Sequence, residues 1–397
     1  MLIKRKEFLQ LGSLATASLM MPKFLKAFEK PMMVPPGNKV VVVIQFSGGN
    51  DGLNTVIPVR NDIYYRERPV LGIAKEKSLL LTDEIGLNPA LEALKGLYDD
   101  GSLAIMNNVG YPNPDRSHFR SMDIWQSASE SNVYKQTGWL GCYLDAQCKG
   151  CDKPTQAMEL DDVLSLALKG EENKGLAFKD PKKLYNSSNG RFIKDVNASH
   201  KSSEETIDYL YKTMSATLNS ANYIYEQSRV HPTTQTYPNT GMGKDLKTIA
   251  SLIFSDINTK VYYVSLGSFD THVNQEGQQK RLFTELSDAV KAFTTDLKNN
   301  GRFEDVLMMT FSEFGRRVSQ NASNGTDHGT ANNMFFISGG LKEKGILNAM
   351  PNLADLNEGD LKHNVDFKTV YATVLNKWLQ ADDKMILGKD YAHLSFI

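Results

Sequence analysis

Acidic and histidine side chains recur in this sequence directly after strand-like runs. Val40 to Ile44 leads into Ser47-Gly48-Gly49-Asn50-Asp51, Lys260 to Leu266 into Asp270-Thr271-His272, and Val306 to Phe311 into Glu313; a polar loop then supplies Asp327-His328. Carboxylates mixed with imidazoles form the ligand set of zinc, manganese or iron, whereas calcium and magnesium sites rarely use histidine. The expected cofactor is therefore one or two divalent metal ions, zinc or manganese. The candidate ligands are Asp51, Asp270, His272, Glu313, Asp327 and His328.

Ser117 adds a candidate nucleophile, since it stands at the predicted start of a helix between Arg116 and His118. Serine is favoured at that position simply because its oxygen caps free backbone N–H groups. The same place suits catalysis, because a helix N-terminus favours an anion. Arg116, Arg120 and Arg316 are the cations that lie near these motifs in sequence, and Arg116 or Arg316 is the candidate to hold a nonbridging substrate oxygen.

The elements that must position these groups alternate between strand and helix. Val40 to Ile44 is an uninterrupted β-branched run, the mark of a strand buried on both faces of a parallel sheet. Ligands of open α/β sheets gather beyond the carboxyl ends of the strands, where Asp51 falls. Further strands are predicted at 103–109, 260–266, 306–311 and 334–338, with a second extended run at 53–59. Helices are predicted at 90–98, 115–128, 245–254 and 366–380, and an apolar stripe from Leu282 to Leu297 marks another. The expected fold is α/β, with a mostly parallel central sheet sandwiched by helices. Residues 31–150 and 244–397 make up this domain, and the polar stretch 151–243, where one helix is credible at 204–229, reads as a helical or irregular insertion or cap.

The 397 residues, 41% hydrophobic and 23% charged, suffice for a large buried core. Residues 1–30 carry six Lys or Arg against two Glu, and without them the formal charge of −1 becomes −5. That balance leaves no footprint for nucleic acid. Lys4-Arg5-Lys6 before the apolar stretch Phe8 to Met21 has the form of an export signal too short to span a bilayer comfortably. The protein is expected in the periplasm or at the cell surface without a stable membrane span; lacking a clean cleavage site before Pro31, the signal can also stay uncleaved. Cys142, Cys148 and Cys151 permit one local disulfide and one free thiol. Gly48-Gly49 lacks both G-x-G-x-x-G and a P-loop lysine, which argues against a nucleotide-phosphate cradle.

The signal, FSGGNDGLNTVIPV, GLNPALEAL, RSHF, TGWLG, Phe269-Asp270-Thr271-His272, SEFGRR, Asp327-His328-Gly329 and VYATVLNKWL together resemble the exported "domain of unknown function 1501" family. The signal itself is similar to the twin-arginine type. That family resembles a branch of the alkaline phosphatase and sulfatase superfamily. The resemblance implies an alkaline phosphatase-like sheet with two metals at its carboxyl edge: Asp51 with Asp327 and His328 at one, Asp270 and His272 at the other, and Ser117 as nucleophile. The residue completing the Asp270 and His272 site is open among His363, His393, His118 and Glu313. The implied function is an exported metal-dependent hydrolase of a small anionic phosphate, phosphonate or sulfate ester. The alternative is a non-catalytic secreted binding or assembly protein that keeps the fold and one metal, with another exported protein as its partner.

Overall fold

Alternate residues of the strand Val40–Phe46 (β1) face opposite sides of one central sheet. Val40, Val42, Ile44 and Phe46 pack into one apolar layer and Val41 and Val43 into another, and all six are buried. A strand covered on both faces has no polar side to present, which is why its sequence is a continuous apolar run. The structure is a computed structural model that describes residues 38–147, 155–188, 219–255 and 257–397. The expected export signal, Cys148, Cys151 and most of the helix expected at 204–229 lie outside these residues. Cys142 carries a free thiol.

In chain order the main elements after β1 are Glu92–Asp99 (α1), Leu103–Gly110 (β2), His118–Ser127 (α2), Trp139–Gln147 (α3), Ala157–Glu159 (β3), Leu176–Ala177 (β4), Gly241–Phe254 (α4), Val261–Leu266 (β5) and Gln275–Asn299 (α5). They continue with Val306–Ser312 (β6), Arg316–Gln320 (β7), Thr326–His328 (β8), Asn332–Ile337 (β9), Gly345–Ile346 (β10), Val365–Asp366 (β11) and Phe367–Thr373 (α6). The nine-stranded sheet has the order β10-β2-β9-β6-β1-β5-β3-β4, with β11 also on β2. All its pairings are parallel except those of β9 with β2 and β6. Helices α1, α4 and α5 cover one face, and α2, α3 and α6 cover the other. The α/β class with a mostly parallel, helix-sandwiched sheet is thus as the sequence led us to expect.

Register is what places the site. Phe46 lies beside both Leu266 and Ser312, so β1, β5 and β6 end level with one another. The chain segments carrying Asp51, Asp270 and Glu313 therefore leave the sheet side by side. Gly48 and Gly49 have positive φ (116° and 73°), and a Cβ on Gly48 would stand 2.5 Å from the Asp270 backbone nitrogen. Only glycine lets the β1 loop pass that close to its neighbour.

Three local expectations change. The run 53–59 is not one strand: Asp51 Oδ1 accepts from Leu53 N–H and turns Gly52–Asn54 into a 3-10 turn before the short strand Val56–Pro58. The helix expected from residue 115 starts at His118, because Asp115 Oδ1 takes the Ser117 N–H in a turn of its own. Within the expected insertion, β3 pairs with β5 and β4 with β3, extending the main sheet. These strands are two and three residues long, too short for a periodic signal. Among the described residues no helix is long and apolar enough to cross a membrane.

Candidate metal centre

Four side chains from three segments converge at the level strand ends. Asp270 and His272 come from the loop after β5, His328 from the end of β8 and His118 from the first residue of α2. His272 Nε2 lies 3.0 Å from His328 Nε2 and 3.0 Å from Asp270 Oδ1, and His328 Nε2 lies 3.2 Å from the same oxygen. His118 Nε2 is 3.5 Å from Asp270 Oδ2 and has no hydrogen-bond partner although it is buried.

The other ring nitrogens each face an acceptor. His328 Nδ1 is 2.9 Å from the Arg116 carbonyl oxygen, His272 Nδ1 is 3.3 Å from Asp327 Oδ1, and His118 Nδ1 is 2.9 Å from Glu313 Oε1. Carbonyl and carboxylate oxygens only accept, so a neutral ring with its proton on Nδ1 turns its Nε2 lone pair inward, toward the Asp270 carboxylate. Three lone pairs and a carboxylate then meet with nothing between them to accept. Such an arrangement is repulsive until a cation or an added proton enters. Tetrahedral ligands about 2.0–2.1 Å from zinc stand roughly 3.3 Å apart, in the range seen here. An imidazole held through Nδ1 by a carboxylate or carbonyl is also the usual support of a metal-bound histidine. His118, Asp270 and His328 each bring a ligand atom within 4.8 Å of the others and fit one divalent metal, with His272 Nε2 beside Asp270 and His328 as a further donor on that side.

Neighbouring groups hold this arrangement. Phe314 packs its ring against His118 and His328, with centroids 4.9 and 4.7 Å away. Glu313, buried at the end of β6, also accepts from Gly48 N–H (2.8 Å) and so ties His118 to the β1 loop. Asn321 Nδ2 donates to Asp327 Oδ1 (3.1 Å) and steadies the carboxylate behind His272. Burial pushes the Asp270 carboxyl up, but the Arg316 hydrogen bond and charge, with the histidines, outweigh it and leave it below the usual range. The Glu313 hydrogen bond raises His118, whereas burial lowers His328.

The remaining candidates stand elsewhere. Asp51 is 1% exposed and paired with Arg68, whose Nη1 donates to Oδ2 at 2.6 Å and Nη2 to Oδ1 at 3.0 Å. Leu53 N–H and Gln275 Nε2 also donate to this carboxylate. The structure therefore does not bring Asp51 to Asp327 and His328, and a carboxylate already accepting four donors has no lone pair to spare for a metal. Asp327 stands behind His272, and Glu313 behind His118. Arg316 is fully buried and bonds the Gly48, Gly49, Phe269 and Thr326 carbonyls and Asp270 (2.7 Å) with all three guanidinium nitrogens, so it is not turned out to hold a substrate oxygen. Arg116 is paired with buried Asp360. Ser117 is exposed and its side chain makes no capping bond; among the described residues its hydroxyl has no hydrogen-bond partner, and it follows Arg116, whose carbonyl faces His328. His363 lines a different pocket, and His393 bonds Asp383 (3.0 Å).

Sequence reasoning missed Arg68 and Gln275 altogether, since nothing in the loop before Pro69 or at the start of a helix marks a partner for Asp51, 17 residues from Arg68 and 224 from Gln275. His118 had a signal, its place after Ser117 at a helix start, but no spacing tied it to Asp270.

Residues 38–389 match the family described as "Protein of unknown function (DUF1501)". The chain belongs to the DUF1501 family. No curated protein matches it. Among solved structures this DUF1501 chain is similar to the PsFucS1 sulfatase from Pseudoalteromonas sp., at 10% identity and a TM-score of 0.42, covering 90% of this chain and 70% of that one. It is also similar to the phosphonate monoester hydrolase SpPMH from Silicibacter pomeroyi, at 7% identity and 0.40 over 90% and 78%. A protein in the alkaline phosphatase superfamily from Vibrio parahaemolyticus aligns at 11% identity and 0.35 over 89% and 69%.

Proposed function

We propose that this chain is an exported hydrolase of a phosphate, phosphonate or sulfate ester that works at a single divalent metal, zinc or manganese, held by His118, Asp270, His272 and His328. The observation that carries the reading is the set of three imidazoles with their Nδ1 atoms engaged and their Nε2 atoms turned on one carboxylate. The metal, when bound, supplies Lewis acidity toward an ester oxygen. Ser117 is the nucleophile of this reading, supported by its exposed, uncapped hydroxyl. The N-terminus of α2 favours the anionic group of the substrate through its free backbone N–H groups. Glu313, Asp327 and the Arg116 carbonyl keep the three rings in their tautomers. Arg316 anchors Asp270 and the glycine loop, a positioning role in place of the substrate clamp expected from the sequence. In the net reaction water adds across the P–O or S–O bond, releasing the alcohol and the acid.

One observation favours a second reading, a secreted binding or assembly protein. Asp51, the strand-end carboxylate that a second metal would need, is consumed by Arg68. Elemental mass spectrometry of protein purified without chelator, followed by a screen of phosphate, phosphonate and sulfate esters with wild type and Ser117→Ala, decides between them. About one metal per chain and turnover that Ser117→Ala removes support the hydrolase. Metal without turnover of any ester supports the binding protein, and failure to take up zinc or manganese removes the metal centre from both.

A further inference from the structure

A cavity of about 460 Å³ opens beside the metal centre, between the end of β1 and one face of α2. Phe119, Met122 and Asp123 line it at helical spacing, while Gln45, Gly48 and Ser268 line the opposite wall. Phe119 is 88% exposed, a large aromatic ring left in water at the rim of the site. The ring has an apolar face and a negative π-cloud, which attract an organic cation in particular.

The charges around the cavity are unequal. No lysine or arginine lines it among the described residues. Glu313 is satisfied by His118, Gly48 N–H and Ser312, and Asp270 by Arg316. Asp123 differs from both: its carboxylate makes no hydrogen bond or ion pair among the described residues. A metal bound at the centre would offset Asp270 and Glu313 and leave Asp123 as the uncompensated negative charge in the cavity. The anionic end of an ester belongs at the metal, so Asp123 and Phe119 are left to meet the alcohol end.

We infer that this pocket selects esters whose alcohol carries an ammonium group, held between the Asp123 carboxylate and the Phe119 ring. The inference rests on the hydrolase reading above and names the substrate class of that site. A substrate of this class is a zwitterion, with its anionic group toward the metal and its cation about one short alkyl spacer away. An ester with a second anionic group on the alcohol is repelled by Asp123.

The test pairs choline with 3,3-dimethylbutanol, a neutral compound of the same shape, each titrated by calorimetry into the full-length, metal-loaded protein. Choline is expected to bind about ten-fold more tightly, with a preference that weakens in high salt. Asp123→Asn is expected to bring the ratio to about one, and Asp123→Glu, which keeps the charge, to retain part of it. Asp123 bonds nothing that holds the fold together, so the amide variant is expected to melt with the wild type. Equal binding of the two alcohols, or a preference that survives in Asp123→Asn, overturns the inference. Turnover of phosphocholine against 3,3-dimethylbutyl phosphate separates the two claims. If both esters are cleaved at equal kcat/KM, the ammonium site is wrong and the hydrolase stands. If no phosphate, phosphonate or sulfate ester of either alcohol is cleaved while choline binding still depends on Asp123, the hydrolase reading fails and the site remains.

Discussion

His272 and His328 turn their Nε2 atoms toward one another at 3.0 Å, while a carboxylate and a backbone carbonyl hold the opposite edges of the two rings. Two lone pairs at that separation repel unless a cation or a proton lies between them. We expect His272→Ala and His328→Ala each to lower bound metal from about one per chain to well below one, with little change in far-ultraviolet circular dichroism. Retention of a full equivalent in both variants would move the metal elsewhere.

Asp327 touches the centre only through His272. Replacing it by asparagine removes a charge from behind the ring and leaves the proposed ligands in place. Removing such a supporting group typically weakens metal affinity about 10- to 100-fold. Competition against a chromogenic chelator measures this, and an unchanged affinity would make Asp327 a bystander.

The Asp51–Arg68 pair, with side chains 1% and 0% exposed, predicts a different phenotype. Arg68→Ala leaves a buried carboxylate without its counter-ion, which costs about 3–5 kcal/mol. Guanidinium unfolding should show that loss while metal content per folded chain stays the same. Loss of metal without loss of stability would instead place Asp51 among the ligands.

Glu159, at the end of β3, gives stability a pH dependence remote from the centre. Burial pushes its carboxyl up to about 7, against the hydrogen bond it accepts from Ser165 N–H at 2.7 Å. In the unfolded chain a glutamate titrates near about 4.3. Below that pH both states hold the proton and there is no penalty. As pH rises toward 7 only the unfolded state releases it, so stability falls across this window and levels off above it. Glu159→Gln cannot ionise, and its advantage over wild type should grow by about 3 kcal/mol between pH 4.5 and 7.5. A difference between the two proteins that stays flat over this window would refute the assignment.

Much of the architecture was legible in the sequence because burial on both faces of a sheet writes itself as a continuous apolar run. Val40 to Ile44, Lys260 to Leu266 and Val306 to Phe311 each mark a strand, and the acidic and histidine residues beyond them mark the edge that holds the candidate site. The short strands Ala157–Glu159 and Leu176–Ala177 were not legible, since two or three residues carry no period. Asp270, His272 and His328 could be nominated from position alone. Which of the nominated groups meet could not, because that depends on register: Phe46 level with Leu266 and Ser312 sets Asp270 beside Glu313, and helix α2 starting at His118 brings in a third imidazole. Asp51 has the same residue type and the same strand-end position as Asp270, yet tertiary packing gives it Arg68 and Gln275 as partners. Local sequence determines which side chains reach the edge of the sheet. Only the folded chain decides which of them are left with unshared electron pairs, because their partners come from segments up to hundreds of residues away.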